Sequence, residues 1–184
     1  MSLDTLGLVE SRTVAAGIFL ADLMVKAAEV KLVRAATICA GRYFIQVSGT
    51  RSAVETAVAS AEASDYSLVG NFVISNVHPD LLRRGGKCQD IPAGDALGVV
   101  ECKTVSAGVV AADQALKKAD VQLAKLVIGQ GISGKSYFIL NGDIAEVTEA
   151  VAAARDALDR YLLETVIIPA PDEAIIAALL NKLR

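Results

Sequence analysis

The chain has 184 residues, of which 53% are hydrophobic, 21% are charged and only 4% are aromatic, and its formal net charge is −3. This composition excludes an intrinsically disordered chain, and the scattered basic residues give no electrostatic case for nucleic-acid binding. The apolar stretches break at Asp22, Asp113 and Asn181, short of the roughly 20 residues that a membrane-spanning helix needs. The three cysteines lie far apart and the N-terminus lacks a secretory pattern. We therefore expect a cytoplasmic protein without nucleic-acid or membrane partners, whose surplus apolar surface is covered by oligomerisation.

Short strands and amphipathic helices alternate along the first half of the chain. The predicted elements, in order, are a strand over Thr5–Glu10, a helix over Val14–Ala28, strands over Lys31–Ile38 and Tyr43–Ser48, a helix over Ser52–Ala63 and a strand over Ser67–Ser75. Thr13 is the expected N-cap of the first helix. The β-α-β-β-α-β order predicts an α+β, ferredoxin-like domain.

The second half repeats the first. Leu6–Arg34 aligns with Leu97–Lys125 at an offset of 91, with 14 identities in 29 positions. Beyond Gly41 and its counterpart Gly134 the offset becomes 93, so two residues entered the second copy. We therefore predict two tandem domains of one fold, at residues 1–86 and 95–184, joined by a polar linker over 87–94. The second domain is expected to end with an additional helix over Asp172–Leu183.

One segment matches the nucleotide-binding loop pattern G-x-x-x-x-G-K-[ST], namely Gly129–Ser136. That pattern binds phosphate only where a helix follows, because the helix N-terminus and the loop amides hold the anion. Here the apolar run Tyr137–Leu140 follows, which predicts a strand. We expect a strand-to-strand loop, and nucleotide binding is the less favoured alternative.

No catalytic constellation is visible in the sequence, so we do not expect an enzyme. The only histidine, His78, precedes a proline at a strand end, and Cys88 and Cys102 are most simply unligated thiols. Glu10 recurs as Glu101, which indicates a shared structural role rather than one active site.

The repeated segments carry a family resemblance. Leu6–Glu10 and Ala21–Ala28, with their counterparts Leu97–Glu101 and Asp113–Ala119, resemble the tandem-domain, trimer-forming class of bacterial microcompartment shell proteins. The resemblance covers essentially the whole chain. It implies a homotrimer of pseudo-hexameric shape, which tiles edge to edge with other shell proteins into the shell of a microcompartment in the bacterial cytoplasm.

Within that class, Thr37–Arg42 and Gly131–Lys135 are similar to the iron–sulfur shell trimer of propanediol-utilising microcompartments. The similarity implies that Cys39 of each chain ligates one [4Fe–4S] cluster per trimer at the central pore, for electron transfer or another redox function. A redox enzyme enclosed by the shell is then a possible partner. Ala40, Gly41 and Arg42 form the pore loop, and we expect Arg42 to offset cluster charge. The alternative is a metabolite pore without a cluster.

Two positions depart from the pattern of that relative. Ala40 stands where it has Pro, which bears on the rigidity of the pore loop, and Ala170 stands where it has Arg, in a region at the tile edge. Lys26 and its repeat counterpart Lys117 match the edge lysine of the family, so the resemblance assigns them to contacts between tiles. Each also lies four residues after an aspartate, and so each is expected to form an ion pair on its own helix.

Overall fold

A computed structural model of the chain describes residues 4–84 and 96–179. The predicted linker and the last residues of the predicted C-terminal helix lie outside these ranges, as does Cys88. The chain divides into two compact units. The first comprises the described residues up to Val77 together with two short later segments, Thr104–Ala107 and Gly129–Lys135, and the second comprises the other described residues.

The first unit is a four-stranded antiparallel sheet with two helices. Its elements are β1 (Thr5–Ser11), α1 (Val14–Ala27), β2 (Lys31–Ile38), β3 (Arg42–Gly49), α2 (Arg51–Glu62) and β4 (Leu68–Ile74). The strand order is β2-β3-β1-β4, so β1 lies at the centre and pairs with both β3 and β4. This is the ferredoxin-like arrangement that the sequence predicts.

The second unit repeats this arrangement and adds one helix at each end. Its elements are α3 (Pro79–Arg84), β5 (Ala96–Cys102), α4 (Val105–Lys118), β6 (Gln122–Ile128), β7 (Ser136–Gly142), α5 (Ile144–Leu158), β8 (Leu162–Ile168) and α6 (Glu173–Leu179). The first turn of α4 belongs to the first unit. The strand order β6-β7-β5-β8 matches that of the first sheet. The predicted fold class, tandem ferredoxin-like domains, is confirmed.

Local sequence explains where the helices begin and which faces they bury. The hydroxyls of Thr13 and Thr50 accept hydrogen bonds from backbone N–H groups in the first turns of α1 and α2, as N-caps do. Apolar residues of α1 and α2 pack with alternate residues of the central strands to form the core of the first unit, with members Val9, Leu20, Ala21, Met24, Ile45, Val47, Val54, Ala57, Val58 and Ala61. Alternation along β1 directs Leu6, Leu8 and Glu10 to the other face of the sheet.

Helix α6 packs on one face of the second sheet. Ile176 of α6 packs against Leu97, Ala124 and Ile139, on the face of β5 opposite Gly98. A Cβ at Gly98 would meet side chains of α5, which lies on the other face. The second sheet therefore has a helix on each face. In the first sheet Leu6 and Leu8, on the face away from α1 and α2, are also buried, and exposure is confined to the edge strand β2, where Leu32 and Val33 are 43% and 49% exposed.

Within the described residues, the predicted bounds of the strands and helices agree with the structure to within about two residues, and α3 is an α-helix that the sequence does not predict. Residues 79–84 form α3, where the sequence predicts only the end of the preceding strand. Six residues give no helical periodicity to detect, and the local signal is the proline at its first position. In the described part of the chain, no helix is long and apolar enough to cross a membrane.

Gly17 of α1 allows this helix to approach β3 closely, and its substitution gives a test of the packing. A Cβ at position 17 would lie closer than 3.0 Å to three atoms of the Tyr43 side chain. In an exposed helix, Gly→Ala is stabilising by about 1 kcal/mol. Here the overpacking dominates, so we expect Gly17→Ala to lower the free energy of unfolding by about 1–3 kcal/mol. Urea denaturation followed by circular dichroism measures this change. A more stable variant would contradict the close helix–sheet contact.

Candidate functional site

The connection between β2 and β3 carries the predicted metal ligand. Cys39, Ala40 and Gly41 form a tight turn, and Arg42 begins β3. Ala40 and Gly41 both lie in the left-handed region, with φ of 64° and 68°. Glycine adopts this conformation freely, but alanine does so at a cost of about 1–2 kcal/mol. A proline at position 40 would be locked near −65°. The turn seen here is therefore one that Ala40 permits and proline forbids.

The Cys39 side chain is half-buried, and its sulfur has a backbone hydrogen-bond donor. The N–H of Gly131 donates to the Cys39 Sγ at 3.2 Å. The N–H of Cys39 in turn donates to the carbonyl oxygen of Gly129 at 3.0 Å. Gly134 has a φ of 76°, and a Cβ there would come within 2.9 Å of the Cys39 carbonyl oxygen. Segment Gly129–Lys135 belongs to the same compact unit as Cys39 and fixes the direction of its thiol.

The segment that matches the nucleotide-binding pattern is a loop between two strands. Ile128 ends β6 and Ser136 begins β7, so a strand follows where phosphate binding requires a helix. The N–H of Gly129 donates to the carbonyl of Lys135 at 2.9 Å, which closes the loop on itself. The prediction of a strand-to-strand loop is confirmed, and the nucleotide-binding alternative loses its structural basis.

Glu10 of β1 is a fully buried carboxylate, with no exposed side-chain surface. Its Oε1 accepts a hydrogen bond from Arg42 Nη1 at 3.2 Å. Its Oε2 accepts from the backbone N–H groups of Val105 and Ser106, at 3.0 and 3.3 Å, and from the Ser106 hydroxyl at 3.3 Å. The guanidinium of Arg42 is thus bound to Glu10, whereas the sequence predicts it beside a cluster.

Burial raises the pKa of Glu10 above its ordinary value of 4.5, and the hydrogen bonds from Ser106 and Arg42 oppose this shift. Burial is the largest cause because the carboxylate has lost its water, and its partners offset only part of that loss. The sequence predicts a structural role for Glu10 and Glu101 but not these partners. The sequence does place Glu10 on the same strand face as Leu6 and Leu8. A charge on a buried face requires partners, so this position could have indicated that Glu10 has them.

The other candidate residues are not assembled into a site. Cys102 ends β5, is fully buried, and has a pKa that burial raises to about 12 despite a hydrogen bond with Ser136. His78 accepts a hydrogen bond from the Asp80 N–H through its Nδ1 at 3.3 Å, at the start of α3. Within residues 4–84 and 96–179, no group of three or more His, Cys, Asp or Glu side chains is placed to hold a metal ion. Of the two cysteines in the described residues, Cys39 is therefore the half-exposed one and Cys102 the buried one.

The two predicted edge lysines form the expected ion pairs on their own helices. Lys26 Nζ lies 2.6 Å from Asp22, and both side chains are largely exposed. Lys117 Nζ lies 2.5 Å from Asp113, whose side chain is fully buried and also accepts the backbone N–H of His78 at 2.8 Å. The two lysines occupy equivalent repeat positions but differ in their partners, because Lys117 neutralises a buried carboxylate and Lys26 an exposed one.

Comparison with known proteins agrees with this fold. A model of the BMC domain matches residues 5–77 and again residues 96–171. The chain belongs to the BMC-domain family of bacterial microcompartment shell proteins. It contains two such domains in tandem, as the internal repeat predicts.

Two characterised relatives are similar over most of the chain. The bacterial microcompartment shell protein PduT of Citrobacter freundii is 31% identical over 175 residues, which cover 94% of this chain and 95% of that protein. The carboxysome assembly protein CcmO of Synechocystis sp. strain PCC 6803 is 32% identical over 185 residues, which cover 90% of this chain and 61% of that protein.

Solved structures show the same architecture. The crystal structure of a microcompartments protein from Desulfitobacterium hafniense DCB has a TM-score of 0.78 and 36% identity, and the match covers 93% of this chain and 97% of that one. The fused permuted hexameric shell protein MSM0275 from the RMM microcompartment has a TM-score of 0.65 at 24% identity, covering 87% and 86%. The second likeness shows the fold alone.

The raised pKa of Glu10 gives a test with a defined sign. The folded-state pKa is raised, so titration of this carboxyl favours the folded state most below pH 4.5. This contribution to the free energy of unfolding decreases as the pH rises through the raised pKa. Glu10→Gln cannot ionise, so we expect the stability of the wild type relative to this variant to fall as the pH rises from 4 to 8. Urea denaturation across that range measures the difference. A relative stability that grows with pH would contradict the raised pKa.

Proposed function

We propose that the protein is a homotrimeric tile of a bacterial microcompartment shell, with a structural rather than a catalytic role. Three tandem chains supply six BMC domains, which suits a pseudo-hexagonal tile that meets other shell proteins along its edges. Membership of the family and the two-domain chain support this proposal. The first unit also leaves Ile18 and Phe19 of α1 56% and 49% exposed, apolar surface that a further protein contact would cover.

We further propose that each tile holds one [4Fe–4S] cluster through the Cys39 thiolates of its three chains, at the central pore. The observation that carries this proposal is the hydrogen bond from the Gly131 N–H to the Cys39 Sγ, in a half-exposed loop. A thiolate with a backbone N–H donor is the donor chemistry that iron–sulfur clusters use. Since the described residues of one chain offer one such thiol, the proposed cluster takes its ligands from three copies. Three thiolates would ligate three of the four irons, and thiolate is the ligand chemistry that the cluster takes.

The residues around Cys39 orient its sulfur. The Gly129 carbonyl and the Gly131 N–H hold the backbone and the sulfur of Cys39 in one direction. Hydrogen bonds to ligand sulfurs also help to set the potential of an iron–sulfur cluster. Arg42 is paired with Glu10, so it holds the end of the loop, and this pairing reduces the charge that it can offer to a cluster. When bound, the cluster supplies one-electron transfer, which would serve a redox partner across the shell.

A pore without a cluster is the second candidate function. The binding of Arg42 to Glu10 favours it, because this pairing reduces the countercharge expected for an anionic cluster. In this case the half-exposed Cys39 lines a passage for metabolites. The two functions share the fold and the trimer, and they differ only in whether iron is retained.

Anaerobic reconstitution distinguishes these two functions. With iron and sulfide, we expect a brown trimer with broad visible absorption and about one cluster per three chains. Cys39→Ser should lose most of the bound iron, because it removes the thiolate from each chain. Cys102→Ser and Cys88→Ser are matched controls that should retain it, since Cys102 is buried and bonded to Ser136. Iron retention by Cys39→Ser equal to that of the wild type would refute the site assignment.

The assignment of Lys26 to contacts between tiles is tested separately. Its ion pair with Asp22 is largely exposed and contributes about 0.2–0.5 kcal/mol. We therefore expect Lys26→Ala to leave the trimer intact and to weaken its assembly into sheets, as seen by electron microscopy and light scattering. Lys118→Ala, which removes another exposed lysine of an ion pair, is the control. Sheets of Lys26→Ala that form as readily as those of the control would exclude this role.

Lys117 requires a different substitution, because it neutralises the buried Asp113. Lys117→Ala would leave that carboxylate buried without its cation, which destabilises the fold itself. Lys117→Arg keeps the charge and changes the shape of the side chain. We expect it to preserve the trimer, so that any loss of sheets reports on the contact between tiles.

A further inference from the structure

The first helices of the two repeats differ in the burial of one equivalent surface. At the repeat offset of 91, Ala15 and Ile18 of α1 correspond to Ser106 and Val109 of α4. Ser106 and Val109 are 0% and 7% exposed, whereas Ala15 is exposed and Ile18 is 56% exposed. This surface is therefore covered in the second copy and uncovered in the first. A second copy of the chain would be able to cover it in the same manner.

The first turn of α4 is capped from two sides. The Thr104 hydroxyl accepts from the Ala107 N–H at 3.2 Å. Glu10 Oε2 accepts from the N–H groups of Val105 and Ser106. The first N–H groups of any α-helix have no partner within the helix, and a carboxylate there also meets the positive end of the helix dipole. Threonine and glutamate together therefore satisfy three of these N–H groups.

Helix α1 has an equivalent threonine cap. The Thr13 hydroxyl accepts from the Ala16 N–H at 3.4 Å, as Thr104 does for its own helix. The N–H groups of Val14 and Ala15 correspond to the two that Glu10 binds in α4. The repeat counterpart of Glu10 is Glu101, at the same position of the central strand β5.

We propose that Glu101 of one copy accepts hydrogen bonds from the N–H groups of Val14 and Ala15 of a second copy. This inference rests on the proposed homotrimer and names the contact that joins its chains. The contact is heterologous, because the carboxylate surface of one chain meets the helix end of the next. When such a contact is repeated by a threefold rotation, it closes a ring in which every carboxylate surface meets a helix end. The Glu10 contact is its counterpart inside each chain.

The charges on the two surfaces are complementary. Glu101 lies directly opposite Glu164 in the pairing of β5 with β8, and Glu164 is exposed. In the first unit the residue opposite Glu10 on β4 is Gly70. Like charges in direct cross-strand register are destabilising, and a helix N-terminus next to them relieves that repulsion. Arg12, exposed and adjacent to the Thr13 cap, adds a positive charge to the α1 surface.

Truncation of the carboxylate tests the first side of the contact. We expect Glu101→Ala to raise the protein concentration at which half of the trimer dissociates by about tenfold or more, because charge-assisted hydrogen bonds are lost at every junction. Glu101→Gln keeps an acceptor without the charge and should show a smaller effect. Glu149→Ala, which removes another exposed carboxylate of the second unit, is the control. Sedimentation velocity, with graded urea where dilution alone does not dissociate the trimer, gives these concentrations.

A proline tests the helix side without removing a side-chain contact of the carboxylate. Val14 is the first residue of α1, where proline is favoured, and Thr13 has the extended backbone that a residue before proline prefers. Val14→Pro therefore removes one N–H and leaves the helix intact. We expect it to weaken the trimer by about fivefold or more, since one of two hydrogen bonds to a charged acceptor is lost. Val14→Ala, which keeps the N–H, is the matched control.

The two variants also test each other. Because both act on one contact, the combined variant should dissociate much less readily than the product of the single effects predicts. Equal trimer stability of Glu101→Ala and the control would overturn the inference and leave the proposed trimer standing. A wild type that is monomeric at micromolar concentration would instead refute the proposed function. Circular dichroism melting of each dissociated chain separates loss of assembly from loss of fold, and unfolded Glu101→Ala would assign a structural role within the chain and overturn the inference.

Discussion

The buried carboxylate of Glu10 is the contact on which the first unit depends. It joins the central strand β1 to the start of β3 through Arg42, and it joins both to the first turn of α4 through two backbone N–H groups. A charge without solvent exposure is costly, and the raised pKa shows that the partners do not fully offset the cost. Loss of one partner would leave the rest unsatisfied. The interaction therefore fixes where the later segment sits rather than adding much net stability.

The same carboxylate helps to hold the Cys39 loop in its conformation. Arg42 is the residue at which the loop returns to the sheet, and its Nη1 is held 3.2 Å from Glu10. The loop is thus anchored at its exit by an ion pair and at its entry by the hydrogen bond of the Cys39 N–H to Gly129. The positive φ of Ala40 and Gly41 is maintained between these anchors. Strain of this kind persists only where the surrounding structure determines it.

Much of the fold follows from the sequence because the duplication checks each predicted element twice. The strands, the main helices and the Thr13 cap agree with the structure because they arise from local periodicity and local hydrogen bonding. The partners of Glu10 were not predicted, since Val105 and Ser106 lie 95 and 96 residues away and no local pattern encodes them. The conformation of Ala40 was also missed, because alanine carries no sequence signal for a positive φ.

The loop over Gly129–Lys135 shows why residue spacing alone does not define a site. Glycines at positions 129, 131 and 134 all have positive φ, as a tight loop requires. In a phosphate-binding loop such glycines free the amides for an anion at a helix N-terminus. Here a strand follows, and the Gly131 amide is directed at the sulfur of Cys39 instead. A backbone N–H is attracted to any electron-rich atom, so the element that follows the loop decides which ligand it serves. The loop whose sequence matches a nucleotide-binding pattern thus donates a hydrogen bond to a thiol.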